Sequence, residues 1–397
     1  MTALDVRERR EPSSTSILND PKFRGLIYQA LLLIAVVAMF WWLANNAATN
    51  LARQNKSTGF SFLGDSAGFE IGFTLLPYSR ASSYFQVYLI GITNTLLVAA
   101  VGIILATMLG FLLGVARLSK NFLIRSGATI YVEAIRNTPL LLQLFFWYFL
   151  GLNALPSVRQ SILLPGSIVL NQRGLSFPTP VFDDKFIWVA LVGVLAIIAS
   201  FVWRRLALKR AEETGHRRPV WLPILGFLIV PVVLVYLISG THVTFDAPTL
   251  QGFNYRGGFT APPELAALTL GLVVYTAAFI AEIVRAGIQS VSYGQTEAAE
   301  ALGLRERDRL RLVVVPQALR VIIPPLTSQY LNLTKNSSLG AAIGFPELVS
   351  VFVGTALNQS GRAVEIIGLA MLVYLTISLL TSIFMNWYNA RVALVER

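Results

Sequence analysis

The sequence predicts an all-α polytopic membrane protein of about eight transmembrane helices, and three observations lead there. Of its 397 residues, 55% are hydrophobic and only 13% charged, with a mean hydropathy of +0.63; a soluble domain carries roughly 25% charged residues. Several runs of about 18 or more residues lack any charge, which is long enough to cross the hydrocarbon core. The Lys and Arg residues fall mainly in short segments between those runs, the placement that orients a membrane protein.

Apolar spans fall at about 26–44, 88–115, 128–151, 187–203, 219–239, 264–287, 319–343 and 366–389. The first follows a 25-residue polar head. Head and apolar run are both longer than those of a cleaved signal, so this span is expected to be a retained anchor. Eight crossings return the chain to the side it left. The segments 1–25, 116–127, 204–218, 285–318 and 390–397 hold five, three, six, five and two Lys or Arg, 21 together. The alternate segments 45–87, 152–186, 240–263 and 344–365 hold eight. The positive-inside rule therefore places both termini in the cytoplasm.

The same loops account for the net charge of +11, which gives no ground for a nucleic-acid partner. The chain has no cysteine, so disulfides and thiolate metal sites are excluded, and His216 and His242 are too few for a histidine metal cluster. With no nucleophile–base constellation either, no catalytic residue and no metal ligand is assigned. A phosphate-cradling loop needs a Gly-Lys pair. That dipeptide is absent, so any ATP hydrolysis that drives this protein belongs to another subunit. The long outer loops 45–87 and 152–186 are rich in Ser, Gly, Asn and Pro and show no strand or helix period; 245–264 holds turn sequences RGG and APP.

Residues 294–319, GQTEAAEALGLRERDRLRLVVVPQAL, are polar yet lie between two apolar spans. Glu297, Ala298 and Ala299 favour helix, and Gly303 stands where a left-handed cap ends one. LRERDRLRL at 304–312 predicts a second short helical run, and Pro316 opens the next span in its first turn, where proline is tolerated. The expectation is a helix–turn–helix hairpin on the cytoplasmic surface, with small alanines that let a partner approach closely. For EAA and a glycine alone, a solvated loop helix with a glycine cap is the plain alternative.

The longer pattern is E-A-A, three residues, Gly303, nine residues, then V-x-V-P ending at Pro316. It resembles the EAA loop of type I ABC-transporter permeases, with Val313 and Val315 in place of the usual Ile and Leu. In that family the loop forms the coupling helix that docks on the ATP-hydrolysing subunit. The resemblance implies coupling roles for Glu297, Ala298, Ala299, Gly303 and Pro316, ATP and Mg on the partner, and no cofactor in this chain. AEIVRAGIQSVSYGQTEAAEALGL (281–304), PQALRVIIPPLTSQYLNLTKNSSL (316–339), YVEAIRNTPLLLQLFFWYF (131–149) and GITNTLLVAAVGIILATMLG (91–110) are similar to the polar amino-acid branch of these permeases. Asn137 replaces a glycine usual in that branch. The similarity covers about 91–151 and 264–389.

Members of the branch usually have about five spans. Here one span precedes the core and residues 152–262 add two more, a layout that resembles the larger Q-type permease subunits of general L-amino-acid uptake systems. The chain then divides into a cytoplasmic N-terminus, anchor and periplasmic loop at 1–90, a transmembrane domain at 91–389 with an insertion at 152–262, and a tail at 390–397. The insertion is expected to be peripheral and to face lipid. The resemblance further implies a multi-pass location in the cell inner membrane. Its implied partners are ABC ATPase subunits, a second permease subunit (a related but different chain), a periplasmic amino-acid-binding protein and the lipid bilayer.

A lysine at the bilayer centre costs roughly 2.5–3.5 kcal/mol on insertion scales. Lys335, with Asn336, Ser337 and Ser338 beside it, is a candidate receiver for a substrate carboxylate; the alternative is a lysine that snorkels or pairs within the protein. Arg136 and Thr138 lie near the cytoplasmic end of their span, where Arg136 is expected to pair with Glu133 or Glu282 as a gate or brace. Glu282 and Arg285 are spaced for an i,i+3 ion pair. Pro139, Pro316, Pro324 and Pro325 are expected to bend their spans. The alternative function is an ion-coupled secondary transporter, which would want acidic residues at mid-span and often shows internal repeats. None of the 21 acidic residues lies clearly at a midplane and no repeat is visible. A membrane scaffold that uses the hairpin to recruit a partner is a third reading.

Overall fold

The computed structural model describes residues 21–53, 59–214 and 220–392. The expectations for the polar head before residue 21, for His216 with the end of the basic loop, and for the tail beyond residue 392 lie outside the described residues. Seven helical stretches among the described residues are long and apolar enough to cross a membrane. They are α1 (Pro21–Arg53), α2 (Tyr84–Ala116), α5 (Phe186–Thr214), α6 (Trp221–Ser239), α7 (Pro263–Gln289), the stretch Glu306–Ile343 that contains α10 (Val315–Asn336), and α12 (Ala363–Val392).

An eighth crossing, expected as one helix over 128–151, is two: α3 (Phe122–Arg136) and α4 (Leu140–Ala154). The break follows from Pro139, whose ring keeps the preceding residue out of the helical region. Gln143 satisfies the freed carbonyls, its Nε2 donating to the oxygens of Ile135 (3.0 Å) and Thr138 (3.1 Å). Both halves run along α7. The Tyr131 hydroxyl donates to the Val274 carbonyl at 2.8 Å, and the Tyr148 hydroxyl to Glu264 at 3.1 Å.

The centre of the molecule is α2 packed on α7, and small residues set the distance between them. Gly102, Ala106, Gly110 and Gly114 are buried at near-regular i,i+4 spacing along α2. A Cβ at Gly110 would stand 2.6 Å from the Ile280 Cβ, and one at Gly114 2.7 Å from the Val284 Cβ. Helices in lipid gain little from hydrophobic transfer to one another, so close backbone approach through small residues is what holds them. Leu268, Leu272, Ile280, Ile322 and Leu333 fill the core where α2, α7 and α10 meet.

The segment 344–365, expected as an outer loop, is instead a packed helical element. A 3-10 stretch over Ser337–Ile343 turns at Gly344, and a π-helical run Val349–Ala356 leads into α11 (Leu357–Ser360). Phe345, Leu348, Phe352 and Ala356 are fully buried. The reason lies in its pins. Asn94 Nδ2 of α2 donates to the carbonyls of Pro346 (2.8 Å) and Phe73 (3.0 Å), and the Thr95 hydroxyl accepts the Leu348 amide at 3.2 Å. Glu347 caps the run by accepting the amides of Val349 and Ser350 at 2.8 and 2.7 Å.

The insertion holds structure that the composition of its loops did not suggest. Strands β1 (Ile162–Leu164), β2 (Ile168–Asn171), β3 (Gly174–Phe177) and β8 (Phe259–Ala261) form an antiparallel sheet in the order β1-β2-β3-β8. Two smaller ribbons pair β4 (Thr179–Phe182) with β5 (Val243–Asp246) and β6 (Thr249–Gln251) with β7 (Asn254–Arg256). Between them α5 and α6 pack together, with Trp203 edge-on to Phe227, and leave most of their apolar side chains exposed. Phe259 of β8 packs on Phe177 and on Phe73, and Phe73 packs on Phe345, which ties the sheet to the helical core. The strands therefore define one end of the molecule, and the segment 293–314 the other.

Candidate functional site

At that other end, α8 (Tyr293–Ala301) carries Glu297, Ala298 and Ala299. It stops at Gly303, whose φ of +73° lies in the left-handed region that a side chain disfavours. The Gly303 amide donates to the Glu300 carbonyl at 2.9 Å and the Leu304 amide to that of Ala299 at 3.1 Å, the paired bonds of a Schellman cap. The return arm differs from the separate short helix expected over 304–312. It begins as α9 (Glu306–Arg309) and passes through a π turn, Leu310–Val314, into α10 without interruption. Pro316 explains the wide turn, because it has no amide to donate and its ring crowds the preceding turn of a regular α-helix.

The two arms are held as one piece. Arg309 pairs with Glu300, and Gln317 Nε2 donates to Gln295 Oε1 at 3.2 Å. Ala299 is buried against the return arm, whereas Glu297 and Ala298 are exposed. Tyr293 and Leu302 stand clear of the protein at 73% and 81% exposure. Two large apolar side chains, a row of small residues and Glu297 thus face outward on a braced hairpin.

Behind the hairpin lies an ion cluster centred on Arg117, at the α2–α3 turn. Its side chain is 9% exposed and pairs with Glu282 and, at 3.8 Å, with Glu133. Arg285 joins through the i,i+3 bridge to Glu282 at 2.5 Å. Arg136 is not in the cluster: its guanidinium stacks over the Phe279 ring at 5.3 Å. The Thr138 hydroxyl donates to the Ala134 carbonyl at 2.8 Å and closes the end of α3. Sequence reasoning missed Arg117. The signal was there in two carboxylates at the same ends of apolar spans, with more than one arginine in reach.

The stretch Lys335–Ser338 sits where α10 passes into the 3-10 turn, at the end away from the hairpin. Lys335 is exposed and makes no ion pair among the described residues. Ser337 is fully buried and its hydroxyl donates to the Thr334 carbonyl at 2.7 Å. The Ser338 hydroxyl donates to the Lys335 carbonyl at 2.7 Å, and Asn336 is half-buried. The structure thus turns Lys335 toward open space and Ser337 into the core.

A bundle of membrane-crossing helices with a braced polar hairpin at one end is the architecture of a transport permease. Over residues 102–394 the chain matches the family described as the binding-protein-dependent transport system inner membrane component, and it belongs to that family. It is 54% identical to the general L-amino acid transport system permease protein AapQ of Rhizobium johnstonii, covering 97% of this chain and 96% of that one. It is 50% identical to the putative amino-acid ABC transporter permease protein YhdX of Escherichia coli, over 95% and 96% of the two chains. Against the glutamate/glutamine/aspartate/asparagine transport system permease protein BztB of Rhodobacter capsulatus the identity is 41%, over 96% of each. The chain is a multi-span permease subunit.

Proposed function

We propose that this chain, with a second and related permease subunit, forms the membrane channel of an ATP-driven ABC importer. The importer takes up polar or general L-amino acids delivered by a periplasmic binding protein. The observation that carries this reading is the hairpin: a capped, braced, outward-facing surface continuous with α10. The names of the relatives support the substrate class. The chain's own part is positional. ATP, with Mg, binds and is hydrolysed on separate ATPase subunits, and the hairpin rides on them. Closure of those subunits displaces the hairpin, and α10 carries the displacement to the far ends of the helices. The pore swings from inward-facing to outward-facing in a hinge or shear movement. The excess of Lys and Arg in alternate segments supports an orientation with both termini in the cytoplasm of the inner membrane and the sheet end outside.

The test is co-purification of an ATPase with this chain from native membranes, repeated with Gly303→Pro and Gly303→Asn. Proline cannot adopt φ near +73° and lacks the amide that bonds Glu300, so the cap is lost without a change in any span. Asparagine tolerates the left-handed region and should keep it. Loss of the ATPase with proline and retention with asparagine is the expected result. An ATPase that stays bound to the proline variant, or never co-purifies, would overturn the reading.

A further inference from the structure

The element pinned to α2 carries a carboxyl group that the coupling mechanism does not use. Glu347, just ahead of the π-helical run Val349–Ala356, is the one fully buried carboxylate among the described residues. It forms no ion pair there, whereas Glu282 and Glu300 each meet an arginine. Its Oε2 accepts the Val349 amide at 2.8 Å and the Tyr374 hydroxyl of α12 at 3.3 Å, and its Oε1 accepts the Ser350 amide at 2.7 Å. A cap needs only a short polar side chain such as Ser or Asn. A carboxyl shut away from water with no cation is costly when charged, and taking up a proton relieves that cost.

The groups around Glu347 are neutral on every side. From α2 come Asn94 and Thr95, whose bonds go to the Pro346 carbonyl and the Leu348 amide. From the 3-10 turn comes Gly340, where a Cβ would stand 3.4 Å from the Glu347 Cγ. From α12 comes Tyr374, the one titratable partner. The charges nearest in sequence are placed elsewhere: Arg362 lies over the Phe62 ring at 6.0 Å, Glu365 accepts the Gly59 amide at 2.8 Å, and Lys335 is exposed. Glu347 falls between the spanning stretches Glu306–Ile343 and Ala363–Arg391. Burial pushes its carboxyl up to about 7, against the pull of the two amides and Tyr374. Tyr374 suits both charge states, because its hydroxyl donates to a carboxylate and its oxygen can accept from a neutral carboxyl.

We infer that Glu347 is a proton-binding site, filled while the element Phe345–Ala356 is packed on α2 and α12 and emptied when the sheet ends of the helices part. On parting, the carboxyl O–H bond breaks, the proton passes to the water that enters, and the carboxylate keeps its two amides. On closure the proton returns from the same side, so none crosses the membrane. Opening of the sheet end is therefore favoured by higher pH on that side and opposed by acid. From the proposed function the inference takes only that the sheet end opens during transport.

The experiment measures protons released by the assembled transporter in lipid nanodiscs, weakly buffered with a pH-indicator dye, when MgATP and vanadate trap the ATPases closed. Wild type is compared with Glu347→Gln, which keeps the shape and an acceptor but has no proton to release. Protons that come from nucleotide binding cancel in the difference. That difference should approach about one proton per copy of this chain between about pH 5 and 7, and vanish well above and below, since a hydrated glutamate titrates near about 4.3. Tyr374→Phe removes a donor to the ionised form, so the window should extend to higher pH; a cap that binds no proton would show no such shift.

Melting temperatures of the same complexes without nucleotide read the site independently of transport. The unfolded chain gives up this proton near about pH 4.3 and the native chain keeps it. Wild type should therefore lose stability relative to Glu347→Gln as pH rises through the window. The inference is overturned if that relative melting temperature is flat with pH, or if complexes that retain trapped nucleotide release equal protons in wild type and Glu347→Gln. It is also overturned if Tyr374→Phe leaves the window where it was, and that comparison decides alone should Glu347→Gln fail to fold. Complexes that retain no nucleotide sink the proposed function, and the melting comparison then decides the proton site by itself.

Discussion

Replacing Gly110 by alanine tests whether contact between α2 and α7 holds the permease core. The new Cβ would lie 2.6 Å from the Ile280 Cβ and 3.1 Å from the Ala277 carbonyl oxygen. Carbon atoms pack at about 3.5–4.0 Å, so the shortfall is about 1 Å, and it is met by a Cβ that cannot swing away. The helices must part or bend. Overpacking of this kind costs about 1–3 kcal/mol. Against it stands the gain of about 0.8–1 kcal/mol from replacing a helical glycine by alanine. Gly127 in α3 supplies the internal control, because a Cβ there meets nothing within 4 Å. Gly127→Ala should melt at or slightly above the wild type, and Gly110→Ala below Gly127→Ala by the clash alone, about 1–3 kcal/mol. At about 2–4 °C per kcal/mol for domains of 150–250 residues, and somewhat less for a longer chain, that gap is measurable. Thermal unfolding in detergent, followed by size-exclusion of a fluorescently tagged chain, reads it. A second clash at Gly114 is relieved by the same separation, so Gly110→Ala with Gly114→Ala should cost less than the two single losses added. If Gly110→Ala melts with or above Gly127→Ala, the close approach is not a constraint and the reasoning fails.

Arg117→Met should destabilise by about 1–3 kcal/mol, less than the 3–5 kcal/mol typical of a broken buried pair, because Glu282 is 27% exposed and keeps Arg285; an unchanged melting temperature would show that Arg117 braces nothing. Thr95→Val keeps the shape of a fully buried side chain but removes the acceptor for the Leu348 amide, at an expected cost of about 1–3 kcal/mol in the same assay. Leu302→Asp should leave stability within about 0.5 kcal/mol of the wild type, since the side chain is 81% exposed, yet abolish ATPase co-purification.

The parts legible in the sequence were those that depend on length and spacing. Long apolar runs set α1, α2, α5, α6, α7, α10 and α12, and the interval from EAA to Gly303 to Pro316 set the hairpin and its left-handed cap. What was not legible depends on distant partners. The segment around Phe345–Phe352 contains Gly344, Pro346, Glu347 and Gly354, residues that suit a loop; it is helical and buried because Asn94 and Thr95, some 250 residues earlier, bond its backbone. The strands of the insertion are three or four residues long, too short to show a period, and β3 finds its partner β8 across two membrane helices. Arg117 escaped notice for the same reason, since Glu282 is 165 residues away.

The continuity of the hairpin with α10 bears on how a movement at one end is felt at the other. A second short helix joined to the span by a loop would let the hairpin follow an ATPase while α10 stayed still. A π turn is different: it changes the register without breaking the chain of backbone hydrogen bonds, so the return arm and the span turn together. The 22 residues of α10 span about 33 Å at 1.5 Å per residue. Lys335 stands at the far end of that helix, which continues through Pro324 and Pro325, next to the 3-10 turn that leads to the element pinned by Asn94 and Thr95. A tilt of a few degrees at the hairpin thus displaces the Lys335 end by a few ångströms, and the pins on α2 decide whether the neighbouring element follows or slides. Because Gly287 of α7 lies against Ile322 with no room for a Cβ, α10 cannot move inward on α7 and is left to slide or tilt along it. The hairpin and the opposite ends of the helices are therefore joined by one helix rather than by a relay of loops.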